Sequence, residues 1–468
     1  MGQDMTKGNP TKLILLFTLP MLLGNIFQQF YSMADTFIVS QTIGMDALAA
    51  VGSTGSITFL IIGLATGITA GLAVITAQRY GEKDEAAIRR NLAVSIVISV
   101  IMTIILTAFS VPLTRTILEW MQTPVEIIDY ASDYLVVIFA GIGATMTFNL
   151  LSNILRAVGD SRTPLIFLIV ASVLNIVLDY VFILGIGMGV EGAGYATVIS
   201  QLVASIFCLI YIKKHIPMLR IYKEDWQAVG SEMMNHLRVG LPMGFQYSII
   251  AIGSIVLQIA LNRLGADAIA AYTAASKIDI LATLPLQSFG VTMATFAAQN
   301  YGAKQYNRIW DGVSRVNKIV VSYSLLMAVV LVVWGQSFSA IFLGVQSAEI
   351  QSMTHTYFLT NATFYVLLAL LFVYRYTLQG LGNSVAPTFA GIMELICRVI
   401  GAITLSNLFG FAGAAIANPL AWVGALIPLI LAYRLTKREL SGRASHSSEE
   451  EWQADTKNAR KLAWLGIK

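Results

Sequence analysis

The stretch AQRYGEKD at Ala77–Asp84 returns as AQNYGAKQ at Ala298–Gln305, 221 positions further along. Each copy ends a long apolar run and opens a charged loop. The same offset aligns Gly44, Asp46 and Ala47 with Gly265, Asp267 and Ala268, and Gly192, Ala193 and Ala196 with Gly413, Ala414 and Ala417. With a small slip in register, Leu19-Pro20 matches Leu241-Pro242, and Gly159-x-Ser161-x-x-Pro164 matches Gly382-x-Ser384-x-x-Pro387. A unit of roughly 220 residues is too long for a solenoid repeat. In an apolar chain it predicts two homologous membrane bundles, an arrangement in which two lobes rock about a central site.

Composition points the same way. The chain is 56% hydrophobic and 12% charged with a mean hydropathy of +0.71, where an ordinary soluble domain carries roughly 25% charged residues. Runs long enough to cross a hydrocarbon core of about 30 Å lie near 13–40, 48–77, 92–112, 131–157, 164–186, 192–213, 237–262, 268–298, 317–343, 355–380, 387–408 and 412–434. Lipid leaves no partner for free backbone groups, and these unbroken runs lack the ten-residue alternation of a barrel strand. The fold class is therefore all-α and integral to the membrane, with twelve transmembrane helices in two six-helix bundles.

Cations cluster at alternate ends of the spans. Lys7 and Lys12 precede the first, Arg79, Lys83, Arg89 and Arg90 fill the second loop, and Arg156 and Arg162 the fourth. Lys213, Lys214, Arg220, Lys223 and Arg238 occupy the sixth, and Lys304, Arg308, Arg315 and Lys318 the eighth, while the odd-numbered loops hold little beyond Arg115 and Arg263. The positive-inside rule then predicts two cytoplasmic termini, in a multi-pass protein of the plasma membrane. Residues 1–12 read as the cytoplasmic N-terminus, 13–213 as an N-lobe, 214–236 as a cytoplasmic linker, 237–434 as a C-lobe and 435–468 as a cytoplasmic polar tail. The net charge of +4 follows from this topology, and no basic patch interleaved with aromatics points to nucleic acid.

The N-terminal apolar run is too long for a cleaved signal. Cys208 and Cys397 fall inside predicted spans and the four histidines are scattered, so neither a disulfide framework nor a metal site is expected. There is no HExxH, GxSxG or Walker loop. The chain does not read as an enzyme, and no cofactor is expected.

Chemistry is expected where ionisable side chains enter the membrane, because each is costly at depth and faces a cavity or a partner. On the first span Gln28, Ser32 and Asp35 share one helical face, and on the fifth Asn175 and Asp179 stand four apart. The sixth adds Thr197 and Gln201, and the fourth adds Asn149 and Asn153. Two carboxylates in a wet, low-dielectric cavity suit ion coupling, with either a proton or Na⁺ as the ion. The repeat places Val256 or Leu257 opposite Asp35 and Ala402 opposite Asp179, so neither acid is duplicated. The second half instead carries Lys277 with Asp279, Arg375 near a cytoplasmic end, and Glu394 four before Arg398, which reads as a structural ion pair. Pro20 and Pro242 each remove a helix hydrogen bond, and Pro20, upstream of Asp35, is a candidate hinge.

Twelve spans in two repeats, Gln28 with ADTFIVSQTIG at Ala34–Gly44, NIVLDYVF at Asn175–Phe182 and QNYGAK at Gln299–Lys304 together resemble the multidrug and toxic compound extrusion family. The resemblance covers nearly all of residues 10–438 and is closest to the DinF-like prokaryotic branch. The other bacterial branch carries a glutamate in its seventh helix and an aspartate in its tenth, where this chain has Gln246–Ile250 and Leu367–Ala369. The resemblance implies cation-driven export of amphipathic, often cationic organic compounds by alternating access, through a monomer in contact with membrane lipid. It implies a cation site of Asp35, Asn175, Asp179 and Thr197, with Gln28, Asn149, Asn153 and Gln201 lining the adjacent pocket. The rival reading is a flippase for lipid-linked saccharides from the same superfamily, for which a cationic cavity is expected.

Overall fold

The computed structural model describes residues 2–121, 123–343 and 348–445, and helices are the only regular structure among them. The first half holds α1 (Pro10–Thr42), α2 (Met45–Ser53), α3 (Gly55–Glu82), α4 (Glu85–Trp120), α5 (Val125–Ala140), α6 (Ile142–Ala157), α7 (Arg162–Asp179) and α8 (Val190–His215). The second holds α9 (Val229–Leu264), α10 (Ala266–Gly302), α11 (Tyr306–Leu343), α12 (Ala348–Asn361), α13 (Tyr365–Gly380), α14 (Val385–Ile400), α15 (Ser406–Phe409) and α16 (Phe411–Ser445).

Eleven helical stretches among the described residues are long and apolar enough to cross a membrane, and the pair α5–α6, bent by 49°, makes a twelfth. Large apolar side chains such as Phe30, Phe37, Ile104, Phe109 and Leu326 stand exposed on these helices. Water would penalise that surface and lipid does not. The chain is an integral multi-pass membrane protein.

Two compact units emerge, Met1–Asp4 with Leu16–Ser248, and Met5–Leu15 with Ile249–Lys468. Within unit 1, α3 packs on α6, α7 on α8 and α5 on α8. Within unit 2, α10 packs on α13, α14 on α16 and α12 on α16, which is the same set of pairings one repeat later.

Backbone irregularities repeat as well. Lys83 and Lys304 both have positive φ, at 60° and 57°, and Gly159 and Gly382 do so at 88° and 82°. A π-helical turn follows α7 at Tyr180–Gly185 and another follows α14 at Gly401–Leu405. The fourth span is interrupted in both halves, at Gly141 and at Ala362–Phe364.

The repeated loop motif also has a structural task. Gln299 Oε1 accepts from the backbone N–H of Met5 at 3.0 Å. The Met5 carbonyl accepts from Asn300 Nδ2 at 3.2 Å and Arg308 Nη2 at 3.1 Å, which anchors Met5–Leu15 in unit 2. In unit 1 the connector docks on α4 through Asp225, 3.5 Å from Arg89, and Glu232, 3.9 Å from Arg90. The linker expected over 214–236 is partly helical, because α8 runs to His215 and α9 starts at Val229. Of the polar tail, residues 446–468 lie outside the described residues, and α16 continues to Ser445.

Candidate functional site

In unit 1, α1 brings Asp35 and α7 brings Asp179 to within hydrogen-bonding reach of each other. Asp35 is 7% exposed, Asn175 1% and Asp179 0%. Asp179 is the last residue of α7 before the π turn, and such single π turns concentrate at functional sites because they re-aim side chains within a helix. Asn175, one helical turn earlier, donates through Nδ2 to Thr197 Oγ1 on α8 at 3.2 Å. The hydroxyl of Tyr31, one turn before Asp35, lies 3.2 Å from the same Thr197 oxygen. Tyr134 of α5 closes the group beside Asp35, Tyr31 and Asp179.

Asp35 Oδ1, both carboxylate oxygens of Asp179 and Asn175 Oδ1 are buried without a protein donor. Ionised carboxylates are acceptors only, so two facing ones have no hydrogen bond to offer each other until one takes up a proton. A monovalent cation between them satisfies the same oxygens. Among the described residues no three His, Cys, Asp or Glu side chains converge on one point, so the donor set does not match a multi-carboxylate divalent site.

The expected pocket residues sit on neighbouring faces. Asn149 and Asn153 of α6 donate to Thr66 and Thr69 of α3 at 3.1 and 3.3 Å. Gln201 of α8 accepts from Thr145 of α6 at 2.5 Å. Gln28 and Ser32 of α1 are exposed, so the structure does not gather them into the buried group around Asp35. Pro20 is buried inside α1, five residues into the part that belongs to unit 1.

In unit 2, Glu394 does contact Arg398, at 3.0 Å, but Arg375 of α13 holds its other oxygen at 2.7 Å. All three side chains are buried. Arg375, five residues before the end of α13, is a buried partner of Glu394, a contact made by the packing of α13 on α14. Lys277 is exposed, whereas Asp279, two residues on, turns to the tyrosines of α12 and α13.

Tyr31 and Tyr134 were not singled out for the site from the sequence, nor was the pairing of Arg375 with Glu394. Tyr31 had a signal, since it lies four residues before Asp35 on the same face. Arg156 was assigned to a loop, yet it lies in the last turn of α6 and donates to Asn153 Oδ1 at 2.9 Å.

The family model described as MatE matches residues 20–181 and 242–404, one segment in each repeat. The chain belongs to the MatE family. It is 30% identical to the "Probable multidrug resistance protein YpnP" of Bacillus subtilis (strain 168) over 308 residues, 65% of this chain and 68% of that one. It is 23% identical to the "Multidrug export protein MepA" of Staphylococcus haemolyticus (strain JCSC1435), over 93% of this chain and 96% of that one. A solved structure titled "Outward-facing conformation of a multidrug resistance MATE family transporter of the MOP superfamily" matches with a TM-score of 0.84 and 26% identity, covering 94% of this chain and 99% of its own. This MatE member has the two-lobed, all-helical membrane fold of that family.

Proposed function

We propose that this transporter is a cation-coupled antiporter, exporting amphipathic and often cationic organic compounds across the plasma membrane in exchange for H⁺ or Na⁺, with both termini cytoplasmic. The observation that supports the reading is the Asp35–Asp179 pair, with buried oxygens that lack a protein donor. With the cavity open outward, a cation binds there and discharges the site, which releases cationic cargo. After the lobes alternate, the cation leaves inward and the re-ionised pair attracts the next amphiphile. Mutual exclusion of this kind links the two fluxes, since each ligand lowers the affinity of the other by the same factor.

Asn175 and Thr197 add neutral oxygens to the cation site. Asn149, Asn153 and Gln201 present polar groups on α6 and α8 for cargo, with Gln28 and Ser32 at the exposed face of α1. The partners are the transported molecules and lipid, and the working unit is a monomer. No cofactor takes part.

The test is efflux of a fluorescent cationic dye from proteoliposomes under an imposed proton gradient and then a Na⁺ gradient. Wild type moving dye with one gradient, with Asp35→Asn and Asp179→Asn both failing, upholds the reading and names the ion. Full gradient-driven transport in either variant refutes the site.

A further inference from the structure

Among the described residues of unit 2, one buried cluster joins acid and base, and the middle of α10 carries a further acid, Asp279. Glu394 is shared by Arg375 and Arg398, which leaves that cluster with one excess positive charge. Asp279 of α10 is half-buried and has no salt-bridge partner among the described residues; its charged neighbour in sequence, Lys277, is exposed on another face.

What Asp279 has instead is hydroxyls. Tyr365 of α13 donates to its Oδ1, and Tyr357 of α12 lies within hydrogen-bonding reach. Tyr357 in turn reaches Tyr272, whose ring meets it edge-on with centroids 5.1 Å apart. The Tyr272 hydroxyl accepts from Asn418 Nδ2 at 2.9 Å, and Asn418 also donates to Asn361 Oδ1 at 3.2 Å. The carboxyl thus opens a line of exchangeable hydroxyl and amide groups that crosses α10, α12 and α16.

Tyr323 of α11 spends its hydroxyl on the Ala282 carbonyl at 2.9 Å. His355 of α12 stands two residues before Tyr357 and so points from a different face. Arg398 of α14 acts on the cluster through Tyr272, which feels both Arg398 and Asp279. Arg375 lies ten residues beyond Tyr365 on α13, roughly 15 Å along the helix axis.

We propose that Asp279, held by Tyr357 and Tyr365, is a second proton-binding site, in unit 2 and separate from the Asp35–Asp179 pair. On the exporter reading above, on which its place in the cycle rests, it serves the same transport reaction. Ionised Asp279 balances the excess charge of the arginine cluster, and a proton on it leaves unit 2 with a net buried positive charge. That change opposes retention of cationic cargo, the same sense as discharge of the pair in unit 1. A proton fits this site because it needs one oxygen lone pair and a rotatable neighbour. An alkali ion needs a shell of several free oxygens, and here the hydroxyls point their protons inward.

The experiment is an infrared pH titration of the purified full-length protein, following the C=O stretch of protonated carboxyls, paired with gradient-driven dye efflux. The expected result is a titrating band that disappears in Asp279→Asn and survives in Asp35→Asn and Asp179→Asn. Tyr365→Phe, which keeps the ring and removes the donor, is expected to move the midpoint of that band. Efflux in Asp279→Asn is expected to fall about tenfold while dye binding persists. An unchanged band in Asp279→Asn overturns the proposal, as does wild-type efflux with unchanged proton coupling in that variant. A band that Na⁺ alters at fixed pH, without any pH-dependent component, also overturns it in favour of a metal cation. Wild-type efflux indifferent to both gradients, alongside a band that belongs to Asp279, defeats the antiport reading and leaves the proton site standing.

Discussion

Unit 1 brings Asp35 and Asp179 together with three carboxylate oxygens lacking a donor, whereas unit 2 clasps Glu394 between Arg375 and Arg398 with both oxygens taken. The helices around them pair in the same way and bend at the same places. A duplicated scaffold has therefore been given two kinds of interior. Unsatisfied like charges need a mobile partner, which suits a site that fills and empties. Mutually satisfied opposite charges resist change, which suits a fixed joint between helices. The contrast predicts that substitutions in unit 1 act on transport and those in the arginine cluster act on stability.

The largest effect is expected at the pair. Asp35→Asn or Asp179→Asn removes one exchangeable charge and lowers gradient-driven efflux by about a hundredfold, with the protein still inserted and folded. Lys277→Ala, at an exposed position of unit 2, is expected to transport as wild type does. A loss in Lys277→Ala equal to that of the aspartate variants breaks the contrast.

Next comes the joint in unit 2. Glu394→Gln leaves two buried guanidiniums without their counter-charge, and breaking a buried pair in this way costs about 3–5 kcal/mol. A clear drop in melting temperature in detergent is the readout. Replacing Arg375, Glu394 and Arg398 together by apolar residues is expected to restore much of the loss, since what is costly is the uncompensated charge. If the triple variant is as unstable as Glu394→Gln, the cluster does more than fasten α13 to α14.

A smaller effect, present in each unit, comes from close backbone approach. A Cβ on Gly67 of α3 would lie 2.5 Å from the Met243 carbonyl oxygen of α9, and one on Gly380 of α13 would lie 2.3 Å from the Ala294 oxygen of α10. The obstructing atoms are backbone, which side-chain rotation does not relieve. Gly67→Ala and Gly380→Ala are each expected to cost about 1–3 kcal/mol, and Gly185→Ala, with open space around it, nothing measurable in a thermal melt.

How far the sequence reaches depends on which physics acts along the chain and which acts across it. The spans were legible because each must satisfy its own backbone in lipid, a property of consecutive residues. So was the spacing of Asn175 and Asp179, fixed by one helix. The breaks at Gly141 and Ala362–Phe364 were not foreseen, because no proline marks either place and the apolar run continues through both. The partner of Arg375 was missed for another reason: Glu394 lies nineteen residues away on the next helix, and only the packing of α13 on α14 introduces them. Lys277 and Asp279 looked like companions at a separation of two, a spacing that puts side chains on different helical faces.

The smallest effect tests whether the two scaffolds are equivalent where they have no reason to differ. Lys83 and Lys304 hold positive φ at the ends of α3 and α10. The N–H of Lys83 bonds to the Tyr80 carbonyl at 3.1 Å and that of Asp84 to Arg79 at 3.3 Å; one repeat later Lys304 bonds to Tyr301 at 2.9 Å and Gln305 to Asn300 at 2.8 Å. A side chain in this conformation crowds its own carbonyl, and glycine does not. Lys83→Gly and Lys304→Gly are each expected to stabilise by about 0.5–1 kcal/mol, by equal amounts, and without change in dye efflux. Equal gains place the difference between the units in their buried charges alone. Unequal gains mean that the loop motif itself has diverged, and the candidate cause is the docked Met5, which Asn300 and Arg308 hold in unit 2.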